Sequence, residues 1–207
     1  MAEVMSRPLL ERVAASPINY WATFVTDLVV AASFAWFGAT RHPGSAFGAA
    51  AFVLLGIAGW PLLEYSLHRW LLHGKLSAAF RKEHARHHAY PRETAGTPWL
   101  ASTSLGIVFW ACLAFVLSGS AAALFMSGIY AGYIYFVIVH RMQHYHPEVM
   151  GRWRLFGRQL RMHELHHAQP DMHFGITTSI WDHILGTFRG RSRLLEHDEV
   201  VMEQPRR

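Results

Sequence analysis

Charge and cysteine are both scarce in this sequence. Asp, Glu, Lys and Arg make up 16% of its 207 residues, against about 25% in an ordinary soluble domain. Its one cysteine, Cys112, cannot close an internal disulfide or build a thiolate zinc cluster, so any metal chemistry falls to histidine. Cys112 lies in an apolar run and reads as a core residue. Nor is there an internal repeat or a low-complexity stretch. Disorder is excluded by a hydrophobic content of 52%. Acidic residues are outnumbered 14 to 19 by basic ones, giving +5, a balance that suits nucleic acid or anionic lipid. No nucleic-acid-binding motif accompanies it. The length allows one domain.

Four apolar runs, 18–39, 46–67, 99–117 and 121–140, are each near the roughly 20 residues that carry a helix across a bilayer. Tyr20 and Trp21 open the first and Trp36 and Phe37 close it, as rings at two membrane interfaces would. Pro61 predicts a kink in the second. Ser118-Gly119-Ser120 leaves room only for a tight antiparallel hairpin between the third and fourth. The polar segment 1–17 and the length of the first run argue against a removable signal peptide. An all-α integral membrane protein is expected, with a cytosolic N-terminal segment 1–17, a membrane domain 18–193 and a tail 194–207. Four spans place both termini and the 68–98 loop on one side, together with eighteen of the nineteen basic residues; Arg41 alone lies opposite. Positive charge marks the cytoplasmic face. Segments 68–98 and 141–193 then form a cytosolic cap on a bacterial inner membrane or the endoplasmic reticulum.

Eleven of the fifteen histidines fall into four groups: His68 and His73; His84, His87 and His88; His140, His144 and His146; His163, His166 and His167. Each lies at the cytoplasmic end of a span or just beyond it. Positions i, i+3 and i+4 share a helix face, so HARHH and HELHH are each expected to present three imidazoles to one centre, and His140 and His144 a further pair. His68 and His73 are five apart, about 140° around an α-helix, and share a face only if the helix ends there; Gly74 is a plausible stop. Without His146, whose expected role is to orient a ligand, ten imidazoles suit two ions with about five ligands each. Imidazole alone does not choose among iron, zinc, copper and nickel. His42, His183 and His197 read as interfacial polar residues.

The four groups, as HX4H, HX2HH, HX3H and HX2HH, resemble the histidine signature of the membrane fatty acid hydroxylase and sterol desaturase superfamily. Beyond the last group, Phe174-Gly175, Thr177-Thr178-Ser179, Trp181-Asp182 and Gly186-Thr187 are similar to that family's tail. The resemblance covers roughly 50–190. It implies a di-iron oxygenase with a histidine-rich cap over a four-helix stem, its two iron ions replaceable by zinc on purification, which uses O2 and two electrons to hydroxylate or desaturate a fatty acyl or sterol-type lipid from the bilayer. Inserting oxygen into an unactivated C–H bond is beyond ordinary side chains. No fused cytochrome b5 domain fits in the chain, so a separate cytochrome b5-like or ferredoxin-like carrier is expected.

Glu64, one turn before His68, is a candidate for orienting ligands or for snorkelling to the interface. Asp182 is a second candidate, with a capping or salt-bridge role as its alternative. His173 stands before Phe174-Gly175 as a polar lining residue or an additional ligand. Asp27, deep in the first span, has no evident role. Three other functions compete. His163-Glu164-Leu165-His166-His167 satisfies the HExxH of a zinc protease with Glu164 as base, which leaves three histidine groups unexplained. A non-enzymatic metal-binding or transport protein would want its ligands at the bilayer midplane. A carotenoid hydroxylase shares similar histidine motifs but not the tail.

Overall fold

The computed structural model describes residues 16–93 and 99–190. The expected tail, His197 and residues 1–15 lie outside the described residues. All regular structure among the described residues is helical: α1 Pro17–Arg41, α2 Ala46–Ser66, a π-turn Leu67–Leu72, α3 Ala78–Ala89, α4 Trp99–Ala114, α5 Gly119–Tyr145, α6 Pro147–Met150, α7 Arg154–Ala168 and α8 Ile180–Ile184.

Serine starts four of these helices. The hydroxyls of Ser16, Ser45, Ser77 and Ser118 accept from the main-chain N–H three residues on, at 3.1, 3.2, 3.5 and 3.2 Å, using one of the donors that a helix N-terminus leaves unpaired. Three helices, Pro17–Arg41, Ala46–Leu72 with the π-turn, and Gly119–Tyr145, are long and apolar enough to cross a membrane. At about 1.5 Å per residue they measure roughly 37–40 Å. The expected third span is a shorter helix of 16 residues, about 24 Å long. The second helix continues through Pro61.

α5 is the axis of the bundle and packs against α1, α2 and α4. Its crossing with α2 is the closest: a Cβ on Gly128 would stand 2.1 Å from the Val53 carbonyl oxygen, and one on Gly56 2.1 Å from that of Phe125. Small residues let membrane helices approach in this way. Around the bundle Val25, Val29, Leu54, Leu55, Leu105 and Val108 are all more than half exposed, an apolar surface too extensive for contact with water alone. Cys112 lies exposed on α4 rather than in the core. Asp27 acquires a role, because its buried carboxylate accepts from Ser102 Oγ at 2.8 Å and ties α1 to α4.

Candidate metal centre

α2 and α5 each carry a histidine pair out of the apolar bundle, His68 and His73 on one and His140 and His144 on the other. The first pair is brought together by an irregularity. From Leu67 to Leu72 the helix widens to π geometry, and the His73 N–H donates to the His68 carbonyl five residues back at 3.0 Å. In such a turn residues five apart lie over one another. The two rings are 5.0 Å apart. The widened turn closes the angular gap that an α-helix would leave. α3 and α7, lying beyond the bundle, supply the other six imidazoles.

The ten rings assemble into two groups of five. His68, His73, His84, His88 and His166 form the first, and His87, His140, His144, His163 and His167 the second; within each group the ligand atoms lie within 4.8 Å of one another. The expected triads are therefore divided. His84 and His88 serve the first group and His87 the second, while His163 and His167 serve the second and His166 the first. At about 100° per residue, positions i and i+4 diverge by roughly 40° and i+3 lies on the other side of both. Each short helix thus faces both groups at once.

Within the groups, nitrogens meet at separations that test whether a metal fits. The Nε2 atoms of His68 and His84, His73 and His166, and His84 and His88 are 3.0, 3.0 and 3.2 Å apart. Those of His87 and His140, His87 and His144, His140 and His144, and His144 and His163 are 3.1, 3.1, 3.1 and 2.9 Å apart. With metal–nitrogen bonds of about 2.1 Å, ligands at about 90° stand roughly 3.0 Å apart and tetrahedral ligands roughly 3.4 Å. The observed spacings suit five- or six-coordinate ions better than tetrahedral zinc, and with five imidazoles per group a further position stays open. Each group can hold one ion.

Two rings of the first group have their tautomer fixed by main-chain carbonyls. His68 Nδ1–H donates to Phe174 O and His166 Nδ1–H to Met172 O, both at 2.7 Å, so in each ring Nε2 carries the lone pair. Outside the bundle helices the imidazoles are held neutral. Burial, reinforced by neighbouring imidazoles, pushes His73 down to about 4 and His87 and His167 to about 3. His84 and His163 are lowered in the same way. Neutral imidazole is the form that binds a metal.

The remaining predicted residues lie outside both groups. Glu64 is buried and neither snorkels nor bonds an imidazole directly. Its carboxylate accepts from Trp60 Nε1 at 3.0 Å, from the N–H groups of Ile176 and Thr177 at 2.6 and 2.9 Å, and from the Thr177 hydroxyl. Asp182, fully buried, accepts from the N–H groups of Phe174 and Gly175 at 2.8 and 2.9 Å and from Thr187 Oγ1 at 2.7 Å. His173 is buried against Phe188 with a left-handed φ of 55°. His146 is exposed, 3.6 Å from Glu148. Glu164 is exposed on α7, turned away from the imidazoles on either side of it, so the HExxH reading loses its base. His42 packs on Phe52 at the far end of the bundle, and His183 stacks on Phe188. Sequence reasoning missed Thr187 and Tyr65, whose hydroxyls are 2.9 Å apart, and Arg69, which donates to Tyr65 Oη at 2.7 Å. The Gly186-Thr187 end of the tail motif was the available signal for Thr187.

Comparison with known proteins agrees with this arrangement. The chain is 30% identical over 146 residues to a dihydroceramide fatty acyl 2-hydroxylase of Arabidopsis thaliana, covering 67% of this chain and 60% of that one. It is 26% identical over 180 residues to the fatty acid 2-hydroxylase of Homo sapiens, covering 82% of this chain and 45% of that one. The chain thus spans about half the length of the curated relatives it matches. In fold it is similar to the hydroxylase domain visible in the structure of full-length Scs7p, with a TM-score of 0.73 and 23% identity over 88% of this chain and 70% of that one. The family model for fatty acid hydroxylase matches residues 53–187, which include all ten imidazoles and the buried carboxylates; the chain belongs to the fatty acid hydroxylase family.

Proposed function

We propose that the protein is a membrane-bound di-iron hydroxylase that uses O2 to oxidise an acyl lipid close to its polar end. The observation that carries this reading is the pair of five-imidazole groups, with nitrogens at the spacing of five- or six-coordinate ligands. His68, His73, His84, His88 and His166 would hold one iron, and His87, His140, His144, His163 and His167 the other. When bound, the two ions supply the activation of O2 that no side chain can perform. Ten neutral imidazoles leave the charge of the ions uncancelled, unlike the carboxylate-rich sites of ferritin-like proteins.

Depth supports the choice of carbon. His68 stands 22 residues beyond Ala46 and His140 21 residues beyond Gly119, about 32–33 Å along their helices, close to the roughly 30 Å thickness of the bilayer's hydrocarbon core. The imidazoles therefore lie at the level where a lipid's headgroup begins. A chain sliding in from the membrane presents there the carbons next to its carbonyl. A cleft of about 650 Å³ lined by Arg69, Trp70, His73, Pro170, Asp171 and Phe174 reaches the first group, offering aromatic walls to the chain and a guanidinium to a polar end. The relatives named for 2-hydroxylation of fatty acyl groups agree with such a carbon. The orientation is the one that places the basic residues and the imidazoles on the cytoplasmic face. A separate carrier supplies the electrons, and residues 18–193 act as one membrane domain.

Lipid extracts from cells with and without the chain, and with His87→Ala, test the reading. An acyl lipid gaining 16 mass units on a carbon next to its carbonyl, only with the unsubstituted chain, is expected. Unchanged lipids, or purified protein holding one tightly bound zinc in place of two irons, would refute it.

A further inference from the structure

The loop 172–177 has an unusual set of hydrogen bonds. Four successive main-chain N–H groups, those of Phe174, Gly175, Ile176 and Thr177, all donate to buried carboxylates, the first two to Asp182 and the last two to Glu64. The carbonyls at the head of this loop, Met172 O and Phe174 O, accept from His166 and His68. Between them His173 sits at φ 55°, a conformation that a non-glycine residue holds only where its surroundings enforce it. Gly175 allows the chain to run this close, since a Cβ there would stand 2.0 Å from Thr178 O and 2.9 Å from Asp182 Oδ2. Behind Asp182 the donors run in one direction. Thr187 donates to Asp182, which leaves its oxygen to accept from Tyr65, whose own oxygen accepts from Arg69.

This support reaches one imidazole group only. Both rings whose outer nitrogen rests on the loop, His68 and His166, belong to the first group. In the second group, His163 Nδ1 is buried with no hydrogen-bond partner. We propose that Asp182, acting through the main chain of residues 172–175, is a positioning residue for the metal held by the first group and not for the second. The tail motif Phe174-Gly175, Asp182 and Gly186-Thr187 is then the device that makes the two metal positions unequal. The inference rests on the metal-binding reading above. Partners that fix a ligating imidazole are worth about 10–100-fold in metal affinity.

The test is iron retention by the full chain in detergent, loaded anaerobically with Fe(II), dialysed against graded chelator and analysed by mass spectrometry. Asp182→Asn keeps the shape of the side chain but faces one loop N–H with an amide –NH2. It is expected to weaken one iron about 10–100-fold and leave the other at the affinity of the unsubstituted chain. Combination identifies which one: Asp182→Asn added to His84→Ala should release nothing further, while added to His163→Ala it should strip the protein of both. Retention of both irons by Asp182→Asn with unchanged affinity, or the reverse pattern in the two combinations, overturns the proposal. Should Asp182→Asn lose its helical circular dichroism, Thr187→Val and Thr187→Ser decide in the same way, the first weakening the same iron and the second retaining it. If neither His84→Ala nor His163→Ala lowers iron content, the metal-binding reading itself fails, and the two failures are distinct.

Discussion

Replacing Glu64 gives a quantitative check on how the tail is held to the bundle. Glu64→Ala removes the acceptor of four donors: Trp60 Nε1, the N–H groups of Ile176 and Thr177, and the Thr177 hydroxyl. The hydroxyl can rotate to another partner, but the two buried amides have no alternative. A buried donor left unpaired costs about 1–3 kcal/mol, so the amides alone amount to about 2–6 kcal/mol, a large part of the roughly 5–15 kcal/mol that holds a typical domain folded. For a chain of this length about 1 kcal/mol moves the melting temperature by about 2–4 °C. Glu64→Ala should therefore melt on the order of 10 °C lower. Glu64→Gln keeps one oxygen for both amides and lets the Thr177 oxygen accept from the new –NH2, so only Trp60 Nε1 loses its acceptor; the shift should be less than half as large. Thermal unfolding in detergent, followed by near-ultraviolet circular dichroism, measures both. A shift below about 3 °C for Glu64→Ala, a change worth about 1 kcal/mol, would restore the snorkelling reading. Equal losses in the two variants would mean that charge, rather than acceptor geometry, holds the loop.

Three further outcomes are expected. Glu164→Gln should leave both iron content and lipid hydroxylation unchanged, because Glu164 is exposed on the far side of α7; an abolished activity would revive the HExxH chemistry. Metal-free protein should lose stability as pH falls below about 6.5 and continue to lose it to about pH 4, where His73 begins to charge, since the unfolded chain binds protons there while His73, His87 and His167, held down to about 4, 3 and 3, stay neutral when folded; a melting temperature flat between pH 7 and 4 would contradict the burial of these rings. Gly128→Val drives a side chain into the main chain of α2 and should cost about 1–3 kcal/mol or more, whereas Gly48→Ala, whose nearest neighbour would be 3.6 Å away, should be neutral or slightly stabilising; extraction yield and melting of the two variants, compared side by side, decide this.

The spans and helix starts were legible because apolar runs and N-cap serines act locally. Their ends were not. α5 continues five residues beyond the expected boundary at His140, to Tyr145, since the imidazoles that looked like the end of an apolar run are themselves packed against other rings. Histidine spacing gave the faces of α3 and α7 but not the division of each motif between two groups, which depends on where the neighbouring helices stand. Asp27 had no reading because its partner Ser102 is 75 residues away on another helix. Glu64 and Asp182 were picked out as costly buried carboxylates, yet their target is a loop, and 112 residues separate Glu64 from Ile176. No periodicity reaches across that distance.

The π-turn at Leu67–Leu72 carries a further consequence for how such sequences are to be compared. A single residue inserted into one α-helical turn widens it to this form, so the five-residue step from His68 to His73 is what one extra codon makes of a four-residue step such as that from His140 to His144. A deletion within Arg69–Leu72 would return the pair to ordinary α spacing while rotating everything after it by about 100°. The length of that gap is therefore a record of backbone shape, and an alignment that treats it as free to vary discards the one place in the chain where spacing reports a change of helix type.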